Sequence, residues 1–214
     1  MNALNDIVVI GCGGHSRFII SMALDNKYSI KGLLDIKKDF DESETIMGYK
    51  VIGNLDLAND LYQKGIKYAV IAVGNNMLRE EIYQKLIDIG FNIPNIVHSS
   101  AYVDDSSSLG EANVIGPNAA IGAKVKIGNN NIVNTGSIIE HQSELGNGNH
   151  LSLSAVLCGN VSIGNNTFIG ANCTIIENIS ICDDVIIGAG TTIIYNIEKK
   201  GALMVGNKAR LVEK

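Results

Sequence analysis

From Val103, every sixth residue as far as Ile193 is Ile, Leu or Val, although those types make up only 63 of the 214 residues. The run holds sixteen positions without a break. A period of six is neither the 3.6 of a helix nor the simple alternation of a strand. It describes a short strand followed by a corner, wound repeatedly so that the aliphatics stack inside a prism. Eight of the sixteen aliphatics are followed by glycine: Gly110, Gly116, Gly122, Gly128, Gly146, Gly164, Gly170 and Gly188. Those glycines are expected to permit the tight turns. Small residues recur two positions ahead of the aliphatic, as at Ala101, Ser107, Ala119, Ser137, Ala155 and Thr167. A rod of this kind cannot bury its own ends. Residues before Ala101 and the tail from Glu198 to Lys214 are the expected caps.

The chain ahead of the array has a different grain. Residues 6–10, Asp-Ile-Val-Val-Ile, read as a buried strand, followed by Gly11-Cys12-Gly13-Gly14-His15-Ser16 and a helical stretch from Arg17 to Leu24. A second strand, Ser29 to Leu34, ends in Asp35. A third apolar run, Tyr68 to Val73, ends in Gly74-Asn75-Asn76 before a helix from about Met77 to Ile89. This is a short Rossmann-like β-α-β pattern with a glycine-rich first turn and an acid after strand two. Such a turn aims backbone N–H groups and a helix N-terminus at a phosphate, and Asp35 is placed to accept hydrogen bonds from ribose hydroxyls. Ser16 stands where the third glycine of the dinucleotide fingerprint belongs, so a purely structural turn competes with nucleotide binding. An NAD-binding oxidoreductase fits poorly, because fewer than 100 residues precede the coil expected from residue 96. The expected organisation is an α/β domain over residues 1–95 and an all-β coil over residues 96–214.

Composition removes other classes. A net charge of −5 with no basic stripe argues against a nucleic-acid partner. No run of about 18 apolar residues is present to span a membrane, and residues 1–10 lack the basic start of a secretory signal. A cytoplasmic protein is expected. Cys12, Cys158, Cys173 and Cys182 are scattered, without metal-ligand spacing, so reduced thiols and no metal are expected.

In the middle of the array the glycine after the aliphatic gives way to Asn134, Glu140, Ser152 and Cys158. Polar residues crowd the same region, in Asn134-Thr135-Gly136-Ser137 and Glu140-His141-Gln142-Ser143. A solenoid has no structural need of a histidine at a corner, and broken local rules gather where a fold carries a site. A solvated turn histidine is the competing reading for His141, as a surface histidine is for His150. His98 reads as solvated surface.

The unbroken hexads resemble the hexapeptide-repeat acyltransferases, whose repeats form a left-handed parallel β-helix with three hexads per coil. Gly206-Asn207-Lys208-Ala209-Arg210 resembles their closing G-N-P-A-K/R, with Lys208 where proline is usual. A short β-α-β domain carrying G-x-x-G-H directly ahead of the coil resembles the sialic-acid O-acetyltransferase and bacillosamine N-acetyltransferase type, over essentially the whole chain. The resemblance implies an acetyl-CoA-dependent N-acetyltransferase acting on a nucleotide-linked 4-amino-deoxy sugar for surface glycan or glycoprotein, with O-acetylation of sialic acid as the alternative. It implies sugar-nucleotide contacts at Gly13, Gly14, His15, Asp35, Ile36 and Gly74, with Asn134 on the substrate side. The family pattern N-T-x-x-x-x-E-H matches Asn134, Thr135, Glu140 and His141, which makes His141 the general base. An acid usually follows that histidine. Here Gln142 does, so Glu140 or another group would have to supply the negative charge. His150 matches the acetyl-CoA-binding histidine, with backbone contacts near Gly159, Ala171 and Ala189. His150 lies half a coil from His141 and faces another side, so both serve one site only if subunits pack side by side, as in the family's homotrimers.

Overall fold

The computed structural model describes residues 5–37 and 43–206. Asn207 to Arg210 of the closing pattern lie outside the described residues. An α/β unit comes first. Strands β1 (Asp6–Ile10), β2 (Ser29–Asp35), β4 (Tyr49–Asn54) and β5 (Tyr68–Ile71) run parallel, and β3 (Thr45–Ile46) pairs antiparallel with β4. The spatial order is β3-β4-β2-β1-β5. Helix α1 (His15–Asp25) lies between β1 and β2 in sequence, α2 (Ala58–Gln63) between β4 and β5, and α3 (Asn76–Ile89) follows β5. Strands β3 and β4 and helix α2 are additional to the three-strand reading of the sequence. Met47 and Gly48, both at positive φ, make the two-residue hairpin turn that joins β3 to β4.

Alternation along β1 sorts the core. Ile7 and Val9 face α1, while Val8 and Ile10 face α2 and α3. The α1 side is closed by Ile96, Val114 and Ile132, which belong to the coil. The α/β unit thus shares a core with the coil. The end of α1 is also tied down: Asn26 Nδ2 donates to the Val97 carbonyl at 3.0 Å, and Ser99 donates its N–H and hydroxyl to Asp25 at 2.7 and 2.9 Å.

From Ile96 the chain winds into a left-handed parallel β-helix with three faces. The docked face, which carries the α/β unit, runs from Ile96–Val97 through Val114–Ile115, Ile132–Val133, His150–Leu151, Phe168–Ile169 and Ile186–Ile187 to Leu203–Met204. The second face runs from Tyr102–Val103 to Thr192–Ile193, and the third from Ser108–Leu109 to Ser180–Ile181. From Ile96 to Ile193 each strand pairs with the one 18 residues away, as Ile138 does with Ala120 and Val156, and Leu203–Met204 closes the docked face at a spacing of 17. All sixteen aliphatics of the period-six array belong to, or pack against, one continuous core.

The glycines after the aliphatics have a different role from the one expected. None of the eight has positive φ. The left-handed residue comes two positions later, and is asparagine at Asn118, Asn130, Asn166 and Asn172. Asparagine tolerates that region because its short side chain bonds locally. The glycines are required by the neighbouring coil instead. A Cβ on Gly146 would lie 2.6 Å from the Gly164 carbonyl oxygen, and one on Gly170 2.6 Å from the Ala189 nitrogen. Polar ladders at coil spacing satisfy buried backbone: Asn131, Asn149 and Thr167 each donate their N–H to the asparagine side chain one coil earlier, at 3.0, 2.8 and 2.7 Å.

Candidate active site

The sheet of the α/β unit presents one group of residues at the carboxyl ends of its parallel strands, where α/β sheets bind ligands. The turn after β1 carries Gly13 and Gly14 and leads into His15 at the start of α1, beside Asp35 at the end of β2, Ile36 just after it and Gly74 after β5. A Cβ on Gly13 or Gly14 would meet nothing within 4 Å, so the space above the turn is open. Ser16 is fully buried and closes the turn: its hydroxyl donates to the Gly13 carbonyl at 2.6 Å and its N–H to the same oxygen at 3.0 Å. That local bond is what the serine supplies in place of a third glycine. Asp35 is buried and accepts the Lys37 N–H at 3.2 Å. Burial, with the Asp35 and Glu44 carboxylates, pushes the Cys12 thiol up to about 12, so it stays protonated.

The second group sits where this unit meets the docked face. His150 is buried there. Its Nδ1 lies 3.2 Å from the Gly74 carbonyl oxygen and its Nε2 3.5 Å from Asn134 Nδ2. Its ring is edge-on to Phe168 at 5.2 Å between centroids and 6.2 Å from the His15 ring. Burial, then the nearby Arg79 charge, lowers both His15 and His150 to about 4. Both are neutral imidazoles at physiological pH. The His15 Nε2 atom is buried and, among the described residues, has no hydrogen-bond partner. A cavity of about 410 Å³ opens beside His150, lined by Gly74, Asn76, Met77, Phe168, Asp184 and Ile186 among others.

The third group stands at the corner after the second face. His141 is exposed, and its Nδ1 lies 3.3 Å from Gln142 Oε1. Gln142 holds a left-handed φ of 61°. The His141 ring leans along the coil axis over Gly159, where a Cβ would come within 2.6 Å of Cε1 and 2.7 Å of Nε2. His141, Gln142, Cys158, Gly159 and Glu177 line a second cavity of about 430 Å³. A groove of about 770 Å³ between α2 and α3 contains none of the residues expected from sequence.

Residues 6–86 match the PglD N-terminal domain, and residues 160–194 match the bacterial transferase hexapeptide (six repeats). No curated protein matches the chain. A histidine-to-asparagine variant of perosamine N-acetyltransferase from Caulobacter crescentus, solved with CoA and GDP-perosamine, is 30% identical, with 99% of each chain covered and a TM-score of 0.89. The chain belongs to the hexapeptide-repeat sugar acyltransferases. The acetyltransferase domain of PglB from Neisseria gonorrhoeae FA1090, solved with acetyl coenzyme A, is 28% identical over 98% of this chain and 100% of that one, with a TM-score of 0.86. WeeI from Acinetobacter baumannii AYE, 22% identical over 96% and 99% with a TM-score of 0.83, shares the fold.

In this acyltransferase chain the expected residues fall into separate places. His15, Gly74, Asn134 and His150 come together at the junction. His141, Glu140, Gln142 and Gly159 sit at the corner after the second face, and Ala171 and Ala189 stack at the corner after the docked face, where Gly190 donates its N–H to the Ala171 carbonyl at 2.8 Å. His150 is thus not a neighbour of Gly159 within one chain. Arg79, Phe168 and Glu177 were not expected from sequence. Arg79 had a readable signal: with Ile82, Tyr83 and Leu86 it completes the i, i+3, i+4, i+7 stripe of the buried face of α3.

Proposed function

We propose that this chain is an acetyl-CoA-dependent N-acetyltransferase for the amino group of a nucleotide-linked 4-amino-deoxy sugar, working in the cytoplasm as a homotrimer on precursors of surface glycan or glycoprotein. The observation that carries the reading is the His141 imidazole lying over Gly159 in the wall of a cavity, its Nδ1 turned to the Gln142 amide. An amide oxygen accepts only, so Nδ1 holds the proton and Nε2 offers its lone pair. Family membership supports the sugar and CoA chemistry.

In this mechanism Nε2 of His141 takes a proton from the acceptor nitrogen as that nitrogen attacks the thioester carbonyl. The C–N bond forms, the tetrahedral adduct collapses, the C–S bond breaks, and the thiolate recovers the proton from imidazolium. Neutral Gln142 stabilises imidazolium less than a carboxylate would. Glu140, beside His141 in sequence, and Glu177, two coils along the same corner and lining the same cavity, supply the negative charge. Both carboxylates raise the nearby Cys158 thiol, after its burial.

Residues 1–95 hold the nucleotide-sugar in this reading, through Gly13, Gly14, His15, Asp35, Ile36 and Gly74, and residues 96–214 carry transfer. Because His141 and the His150 group occupy separate faces, a neighbouring copy completes the site. Exposed Tyr102 on the second face and Leu153 at the adjoining corner give that copy an apolar surface. Thiol release from acetyl-CoA, measured against a panel of nucleotide-linked amino sugars with free sialic acid as control, tests the proposal. Release with an amino sugar supports it. Release with sialic acid alone favours O-acetylation, and release with none rejects both.

A further inference from the structure

Arg79 is 2% exposed, and among the described residues no carboxylate forms an ion pair with it. Its donors go to oxygens from three segments. Nε donates to the Asn130 carbonyl at 3.1 Å. Nη1 donates to the Val73 and Gly74 carbonyls, both at 3.3 Å. Nη2 donates to Asn76 Oδ1 at 3.0 Å and to the Gly148 and Asn149 carbonyls at 2.8 and 3.1 Å. A buried cation is costly unless its donors are satisfied, and a guanidinium presents five donors in a fixed planar fork where an ammonium has three on a single atom.

Those acceptors bracket one residue. Gly148 and Asn149 directly precede His150, and Gly74 provides the carbonyl at which His150 Nδ1 points. A carbonyl oxygen accepts and never donates, so Nδ1 carries the proton and Nε2 the lone pair. Asn134 Nδ2, at 3.5 Å, is a donor facing that lone pair.

We propose that Arg79 is a positioning residue for His150: by gripping the Gly74 carbonyl and the two peptide units ahead of His150, it fixes the imidazole in the Nδ1-protonated tautomer. His150 therefore meets a ligand as a hydrogen-bond acceptor. It receives an N–H, from a pantetheine-type amide or the acceptor amine, and does not donate to a thioester oxygen. That consequence rests on the acetyl-transfer reading; the tautomer does not. The charged and titratable groups facing His150 are Arg79 from α3 and His15 from α1, and its coil neighbours Asn134 and Phe168 do not titrate. Burial and the Arg79 charge keep the ring neutral, so acceptor character persists through physiological pH.

Imidazole nitrogen NMR on the ¹⁵N-labelled full chain tests this without any activity assay. His150 is assigned by the signals lost in His150→Asn. The expected wild-type spectrum has a pyrrole-like Nδ1 and a pyridine-like Nε2 at neutral pH. Arg79→Lys keeps the charge but not the fork, and should give mixed tautomers with the titration still low. Arg79→Gln removes both, and should also move the His150 titration up toward the ordinary histidine range. On the acetyl-transfer reading, KM for acetyl-CoA rises in both variants by more than kcat falls. A wild-type proton on Nε2 overturns the proposal, as do two folded variants with wild-type tautomer and titration. If Arg79→Gln does not fold, the wild-type and Arg79→Lys spectra decide. A confirmed tautomer in a chain that transfers no acetyl group counts against the enzymatic reading and leaves this one standing.

Discussion

The imidazole of His141 lies across the backbone of Gly159, one full coil further along the same corner. Side chains normally fill such a column, and the missing Cβ at 159 gives the ring its place.

Gly159→Ala therefore tests the site with one methyl group. The new Cβ would stand 2.6 Å from Cε1, so the ring must swing away. The atoms in the way belong to a flexible side chain, and the fold is expected to lose less than about 1 kcal/mol. Displacing a reacting group by about 1 Å can cost on the order of 10²-fold in rate. Steady-state kinetics beside a thermal melt should show kcat falling by about that factor with Tm nearly unchanged. A fall in Tm with normal kcat would mean that the ring position does not matter.

His141→Ala should lower kcat by about 10²–10⁴, the usual contribution of positioned acid–base catalysis, with little change in KM for acetyl-CoA. Gln142→Glu puts a carboxylate where an amide oxygen now lies 3.3 Å from Nδ1. A negative neighbour favours imidazolium, so the acid limb of the pH–rate profile should move to higher pH. The shift should be modest, since Glu140 and Glu177 already bring charge to the corner. An unmoved profile would mean that residue 142 does not govern the base.

The coil was legible because one aliphatic every six residues admits few other folds, from Val103 to Ile193. The corner glycines show where local reasoning stopped: their sequence position is regular, but the requirement comes from backbone 18 residues away, as for Gly146 against Gly164. His141 stood out because a histidine at a solenoid corner has no packing reason to be there. His150 was harder, since nothing near it in sequence announces that Gly74 and His15 will cover it. Its burial follows from how the α/β unit docks, a long-range outcome that Arg79 enforces through contacts 51 to 70 residues away.

Acid should weaken the junction before it weakens the coil. His15 and His150 are held at about 4 in the fold, by burial and then by Arg79, against an ordinary value of 6.5. Between those values the unfolded chain binds more protons than the folded one, so stability falls as pH drops from about 6.5 toward 4. Each histidine accounts for roughly 3 kcal/mol at most, and the two are not additive because they share Arg79 and each other. Urea melts at stepped pH should show the loss in wild type and a smaller one in His15→Phe. Equal slopes would mean that His15 is not the group titrating.

The last prediction concerns assembly. Within one chain His141 occupies the corner after the second face, whereas His150 lies under the α/β unit on the docked face, so a single copy does not bring them together. If neighbouring copies complete each site, His141→Ala and His150→Ala damage different halves of it, and each alone should be nearly inactive. Co-expressed in equal amounts, the two variants assemble at random. A site then regains both wild-type halves when the copy giving His141 and the copy giving His150 are each the right variant, which happens in about a quarter of sites for a cyclic oligomer. Acetyl transfer should return to roughly that fraction of wild type, and light scattering should give a trimer mass. Two inactive variants whose mixture stays inactive, in particles confirmed to contain both chains, would place the whole site within one subunit and leave the exposed Tyr102 and Leu153 without the partner proposed for them.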